Sequence, residues 1–584
     1  MSQQNVIAPD PTKDPYFGKL PAIPNTFQIG LSLGGTAGAG PWTAGALDFL
    51  LRALDAWKAD PQIGPLHEVQ FPIVGGTSGG AVCAALLGLV SRRAFSPITG
   101  GAADHKRSYS GDNPFWLLWV ETLDRQNMFD EVDLKKGALL SLLDSGAIDK
   151  AYGMMVDLSG VVGKPFVRPY FPDPMRLLIT IANIEGIPYR FPVAGFTPWR
   201  GAPYSSHADF ARFAISSNGA GAPRPDEFWI NPSDPKSNSF SVLADYARAS
   251  GAMPGIFPAR PLNRPASHLP YRPVATRDST GKLTLGYPQP DEASLAKLID
   301  KSGTYFFTAV DGGTFNHTPL SLVHDTLAGA GQFLDGDETT VDRAVLLIDP
   351  LAASDGQIDP VGQKIGQTPT LLNVLGPLIG AIVDGGTYLT TDLHLFAAEH
   401  DYSHFQIVPN RQDLGKVGDE AVPGALFQTL GGFLCRDFRV HDFLLGQINM
   451  QSFLREKFTL HQSNKLFSNW NAAQKGKFAV TLDGQKPNPA AMAAGKYYLP
   501  IIPDLTPTLA LANNPWPKKA LNTNDIASAL KNRLESVIDV VATGESSGLK
   551  AWLINRLVDP FALDGLVNGL KNELDDELKK ADLN

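Results

Sequence analysis

Ser78 stands in Gly76-Thr77-Ser78-Gly79-Gly80, a G-x-S-x-G spacing. A serine hydroxyl presented at a tight turn and served by a base is the starting group for acyl transfer. Three plainer readings compete: a packing segment, a membrane span, and a glycine-rich turn with an incidental serine. A second residue with chemistry is Asp311, followed by Gly312 and Gly313. Taken alone, Asp-Gly-Gly reads as a turn, because these residue types are common there. The third feature is Gly34-Gly35-Thr36-Ala37-Gly38-Ala39-Gly40, a loop whose N–H groups could cradle an anion. A dinucleotide site is its obvious rival. G-x-G-x-x-G does not fit this spacing, however, and no acidic residue is placed to hold a ribose.

The flanking elements decide among these readings. "VQFPIVGG" before Ser78 is β-branched, aromatic and bounded by glycine, which predicts a buried strand. "AVCAALLGLV" after it is apolar on every face, which predicts a buried helix. Strand, turn and helix together form the setting of a nucleophile elbow, with Gly76 and Gly80 where side chains would collide. The elbow also puts the hydroxyl at a helix N-terminus, where unpaired N–H groups favour developing negative charge. Upstream, Phe27 to Leu33 reads as a strand, and a helix from about Thr43 carries Leu47, Leu50, Leu51 and Leu54 on one side. With an elbow next in the chain, an oxyanion hole is the better use of the loop between them. Tyr305 to Val310 reads as a strand that delivers Asp311 at its C-terminal end, where open α/β sheets place their chemistry.

Taken together, these blocks resemble the patatin-like family of lipid acyl hydrolases, whose pattern is G-G-G-x-[K/R]-G after a strand, then G-x-S-x-G, then D-G-[G/A]-x-x-x-N-x-P. "GTSGG" matches the second motif, and "DGGTFNHTP" matches the third down to Asn316 and Pro319. "ARASGAMPGIFP" (247–258) is similar to the family's A-S-x-A-x-P-x-x-F-P segment, and "RLLITIANIEGIPYRF" (176–191) to its central strand pair. The first block departs from the pattern: Thr36 replaces the third glycine, the basic residue is absent, and the loop is one residue longer. The resemblance implies a three-layer α/β fold with a mostly parallel central sheet and a serine–aspartate dyad of Ser78 and Asp311. It implies cleavage of carboxylic esters of phospholipids or related fatty acyl lipids through an acyl-enzyme. Gly34, Gly35, Thr36 and Gly79 would supply the oxyanion hole, with Gly76, Gly80, Gly312 and Gly313 supporting the motifs. No metal and no cofactor is required. Two alternatives stay open: an α/β-hydrolase-type esterase with a Ser-His-Asp triad, for which His317 is the nearest histidine, and a scaffold that binds lipid or protein without turnover.

The expected organisation is an N-terminal lead over 1–26, a catalytic domain over 27–325 with insertions within 92–170 and 262–303, and a mostly helical C-terminal extension over 326–584. Of 584 residues, 43% are hydrophobic and 19% charged, which excludes a disordered chain. The net charge is −9 with no long basic run, so nucleic acid is not an expected partner. Two cysteines, no basic-then-apolar leader at the start and no adequate span point to a cytoplasmic protein, with peripheral membrane contact and homo-oligomerisation left open. The uncharged run 71–90 is broken by "GGTSGG", and "TLLNVLGPLIGAIV" (370–383) is too short to span a bilayer. His400 and His404 have helical ligand spacing, but the strand-like "FQIVP" follows at once, so metal binding is not expected there. In the C-terminal part, "RAVLLIDPL" (343–351) predicts a sheet strand and 438–458 an amphipathic helix. Two further stripes, Ile526 to Val541 and Leu563 to Leu578, predict helices that pack on the core or on a second subunit. Because they lie far in sequence from every chemical block, residues 519–584 are expected to affect solubility, assembly or action on vesicles more than turnover of a short ester.

Overall fold

The computed structural model describes residues 10, 14, 16, 18–107, 111–123, 128–134, 139–156, 164–191, 202–216, 224–231, 238–277, 283–287, 290–352, 395, 401–543 and 560–584. The run 370–383 and His400 lie outside them. No helix among the described residues is long and apolar enough to cross a membrane.

A nine-stranded, mostly parallel sheet forms the middle layer. Its strands are β1 (Thr26–Leu33), β2 (Glu68–Gly76), β3 (Met175–Phe191), β4 (Ala202–Ile215), β5 (Glu227–Ile230) and β6 (Arg260–Pro265), joined by three later ones. A separate hairpin, β7 (Val274–Arg277) and β8 (Leu283–Gly286), comes before those three: β9 (Thr304–Asp311), β10 (Arg343–Ile348) and β11 (His404–Ile407). The main order is β11-β10-β1-β2-β3-β4-β5, and β9 bridges β3 to β6. All eight residues of β1 are buried, as suits a parallel strand covered on both faces. The sheet continues past residue 325, since β10 and β11 pair in parallel on the far side of β1.

The predicted central strand pair over 176–191 is one 17-residue strand instead. Its pairing with β4 is interrupted between Ala182 and Ile187, where the Asn183 side chain accepts the Gly186 N–H at 3.0 Å. A local side-chain bond thus replaces the ladder for a few residues, so the strand kinks without ending.

Helices cover both faces. On one lie α1 (Gly40–Ala59), α2 (Gly79–Val90) and α3 (Asn238–Ser250); on the other lies α4 (Leu320–Ala328), whose Leu320, Val323 and Leu327 pack on Ile73, Leu178 and Val345. The helix expected from Thr43 starts earlier because Pro41 fits the first turn, where its missing N–H has no intrahelical partner to lose. The C-terminal part adds α5 (Arg436–Glu456), α6 (Thr523–Thr543) and α7 (Pro560–Lys580).

The amphipathic helix predicted over 438–458 is in fact buried nearly all round. Its polar side chains bond inward: Gln447 donates to Asp48 at 2.7 Å, and Asn449 accepts from the Trp42 indole at 2.9 Å. This requires α5 to lie directly on α1. A Cβ on Gly45 would stand 1.9 Å from the Phe443 carbonyl oxygen, and one on Gly446 would stand 2.1 Å from that of Trp42. Reciprocal glycines therefore set the crossing, and the C-terminal part shares the core of the sheet's first helix.

Candidate active site

β1 and β2 run side by side in parallel, so the loop after each opens at the same end of the sheet. After β2 the chain turns at Ser78, which has φ 54° and ψ −126° and leads straight into α2. A non-glycine residue in that region is strained, and the strain lifts the hydroxyl clear of strand and helix. The glycines on either side are sterically required. A Cβ on Gly76 would lie 2.5 Å from the Gly80 carbonyl oxygen, and one on Gly80 would lie 2.4 Å from that of Leu33. The Ser78 N–H donates to Ser250 Oγ at 2.8 Å, and Thr77 Oγ1 meets Thr180 Oγ1 at 2.6 Å.

Asp311 arrives from the opposite direction. One edge of β3 pairs with β2 through residues 176–179 and then, past the end of β2, with antiparallel β9 through 181–183. Gly76 faces Ile179 and Asp311 faces Ile181, so the two strands meet end to end along a shared neighbour. The Ser78 hydroxyl donates to Asp311 Oδ2 at 2.7 Å. The other oxygen, Oδ1, accepts the Gly313 N–H at 2.7 Å, and the Asp311 N–H donates to the Ala252 carbonyl at 2.9 Å. Gly312 is required here too, since a Cβ would strike Thr180 Oγ1 at 2.4 Å. Burial pushes the Asp311 carboxyl up to about 6, against the Ser78 and Gly313 hydrogen bonds that favour its ionised form. Such a group is a partly ionised base near neutral pH.

The loop after β1 departs from the expected set of oxyanion donors. The Gly34 N–H donates to Ile348 at 3.1 Å and the Gly35 N–H to His317 at 3.0 Å, so both are already committed to backbone carbonyls. The expectation narrows to Thr36 and Gly79, which touch: a Cβ on Gly79 would stand 1.9 Å from Thr36 Oγ1. His317 packs behind this loop, its ring 2.5 Å from where a Gly35 Cβ would be. The side chain that the Ser78 hydroxyl meets is a carboxylate, not an imidazole. His404 sits in β11 beside Asp401, and the described residues hold no group of three or more metal-ligating side chains.

Ser78 and Asp311 open into a cleft whose wall is otherwise largely apolar, including Val82, Leu118, Trp119, Leu123, Met253, Phe257 and Phe433. Leu118 and Trp119 sit on a single π-helical segment, Leu117–Thr122, within the 92–170 insertion. Phe433 comes from the C-terminal part, which presses on the glycine-rich loop: a Cβ on Gly38 would lie 2.6 Å from the Thr429 carbonyl oxygen. That contact is made by a left-handed turn of three consecutive non-glycine residues, Phe427, Gln428 and Thr429, with φ of 60°, 53° and 70°. Sequence reasoning placed Ser250 within a matched block without giving it a role. It missed Trp119 and Phe433, for which no local signal exists.

A mostly parallel α/β sheet carrying a serine at a strained strand–helix elbow, bonded to a carboxylate over an apolar cleft, defines an α/β protein with a hydrolase-like site. The model of the patatin-like phospholipase family matches residues 31–324, and the chain belongs to that family. It is 24% identical over 558 residues to the uncharacterized protein y4iI of Sinorhizobium fredii (strain NBRC 101917 / NGR234), an alignment covering 88% of this chain and 76% of that protein. The crystal structure of VipD from Legionella pneumophila aligns with 99% of this chain and 92% of its own, at 12% identity and a TM-score of 0.23.

Proposed function

We propose that this protein is a lipid acyl hydrolase that cleaves carboxylic esters of phospholipids or related fatty acyl lipids through a Ser78–Asp311 dyad. The observation that carries the reading is the 2.7 Å bond from the Ser78 hydroxyl to Asp311 at the mouth of an apolar cleft. The Ser78 proton passes to Asp311 Oδ2 as Oγ attacks the ester carbonyl. The Gly79 N–H at the start of α2, with Thr36 across from it, faces the oxygen that becomes negative. When the tetrahedral intermediate collapses, the bond to the alcohol breaks and Asp311 returns the proton to the leaving alkoxide. Water then attacks the acyl-enzyme and gives a proton to Asp311. Release of the fatty acid restores the Ser78 hydroxyl. The apolar wall holds the acyl chain.

Ser78→Ala is expected to lower ester hydrolysis by at least about 10³-fold while the fold persists, since alanine removes only the hydroxyl. A fluorophosphonate probe is expected to label the wild-type chain at Ser78 and to leave Ser78→Ala unlabelled. Retention of activity within tenfold would remove Ser78 from the mechanism, and failure to label would favour a binding scaffold.

A further inference from the structure

The Ser78 elbow keeps its left-handed φ only if something opposes relaxation, and the end of α3 supplies it. Gly76 is the last ladder residue of β2, opposite Leu33 on one side and Ile179 on the other. The next N–H, of Thr77, still reaches the Leu33 carbonyl at 3.1 Å. The one after it, of Ser78, is taken by a side chain instead: Ser250 Oγ accepts it at 2.8 Å. Ser250 is the last residue of α3 and has no exposed surface. Two residues further on, the Ala252 carbonyl accepts the Asp311 N–H at 2.9 Å. One turn of chain therefore fastens the backbones of both bonded residues, although they arrive from opposite directions.

The bond to Ser250 opposes one particular motion. Relaxing φ of Ser78 from 54° is a rotation about its N–Cα bond, which turns the rigid Thr77–Ser78 peptide plane or swings Cβ and the hydroxyl. Thr77 fixes only the near side of that plane, its hydroxyl bonded to Thr180 Oγ1 at 2.6 Å and to the Asn316 carbonyl at 3.0 Å. The far side is held by the start of α2 at Gly79. Ser250 holds the plane itself, by the N–H that projects from it. Without that oxygen a buried N–H loses its acceptor, so the plane turns to find another and the strain is released. The Ser78 hydroxyl then leaves its place 2.7 Å from Asp311 Oδ2.

We propose that Ser250 is a positioning residue of this site: by accepting the Ser78 N–H, it holds the elbow in the strained form that keeps the Ser78 hydroxyl on Asp311. Its effect on turnover rests on the hydrolase reading. Ser250→Ala removes one oxygen and leaves the Ala252 carbonyl in place. For a short soluble ester, kcat is expected to fall about 10- to 100-fold, since about 1 Å of misplacement costs up to about 10²-fold. KM is expected to change by less than about threefold, because no group facing the substrate is lost. Labelling of Ser78 by a fluorophosphonate is expected to slow by the same factor as kcat. A loss carried by KM would mean that Ser250 only shapes the cleft wall. Activity within about threefold of wild type would mean that the elbow holds itself. Either result overturns the proposal.

A second measurement does not depend on turnover. Hydrogen–deuterium exchange in the peptide spanning 74–82 is expected to quicken at least about tenfold in Ser250→Ala, while exchange in β10 stays as in wild type. Unchanged exchange over 74–82, or an equal rise in β10, would show that the bond does not hold the elbow locally, and the proposal falls. If the wild-type chain cleaves no ester and takes no label, yet exchange over 74–82 alone quickens in Ser250→Ala, the positioning role stands and the hydrolase reading falls.

Discussion

On the proposed mechanism, turnover is tied at Asp311 to the ionisation of one buried carboxyl. The base works only when ionised, so kcat/KM for a neutral ester is expected to rise with pH through about 6 and then level, as read from a pH profile. Asp311→Asn is expected to lose at least about 10³-fold, because the amide keeps the shape and has no basicity. An active Asp311→Asn together with a dead histidine variant would replace the dyad by a triad. The same carboxyl bears on stability. Its folded-state pKa lies above the unfolded value near 4, so its contribution is fully present below about pH 4 and is lost as pH rises through about 6. Asp311→Asn is therefore expected to be more stable than wild type at pH 8, by at most about 3 kcal/mol, and to show no such gain at pH 4. Urea unfolding at the two pH values checks the sign.

At the scale of elements, the least comfortable piece of backbone is the left-handed turn at 427–429. A left-handed conformation costs a non-glycine residue about 1–2 kcal/mol, and three in a row are held only by what surrounds them. Glu577 on α7 accepts the Phe427 N–H at 2.7 Å, and the turn's other side rests on Gly38. Gln428 is exposed, so Gln428→Gly removes strain without removing packing and is expected to stabilise the fold by about 0.5–1 kcal/mol in urea titration. A loss of stability would mean that the glutamine side chain holds the turn. Nothing in "LFQTL" announces left-handed backbone, since it lacks the glycine or asparagine that normally does so. The elbow was legible for the opposite reason: Gly76 and Gly80 record a close approach in the residue types themselves. The α5 helix misled because its polar residues, Arg439, Gln447 and Asn449, find buried partners far away in sequence.

Across the whole molecule, the last two helices reach both walls of the cleft. On α6, fully buried Arg533 pairs with Asp133 and donates to the Leu142 carbonyl at 3.0 Å. The N–H groups of Leu142 and Leu143 in turn donate to Gly255 and Ile256, between Met253 and Phe257 of the cleft. On α7, Glu577 holds the turn that leads to Phe433. The expectation that 519–584 matters less for a short ester is therefore revised. A chain ending at residue 518 is expected to lose at least about tenfold in kcat/KM on short soluble and vesicle substrates alike, while still melting cooperatively at a lower temperature. Full activity on the short ester would show that the walls stand without these helices. The sequence could not show this, because the contacts join segments about 400 residues apart through single buried side chains. The Ser78–Asp311 contact itself depends on very little of that chain. Ser78 and Asp311 are 233 residues apart, yet their separation is set by a two-residue step along β3, from Ile179 opposite Gly76 to Ile181 opposite Asp311. β3 serves as a ruler with the two bonded residues clipped to nearby marks. Loops between the marks can lengthen over evolutionary time without recalibrating the site, whereas a one-residue slip of β9 on β3 would carry Asp311 about 3.3 Å off its mark and turn its side chain to the other face.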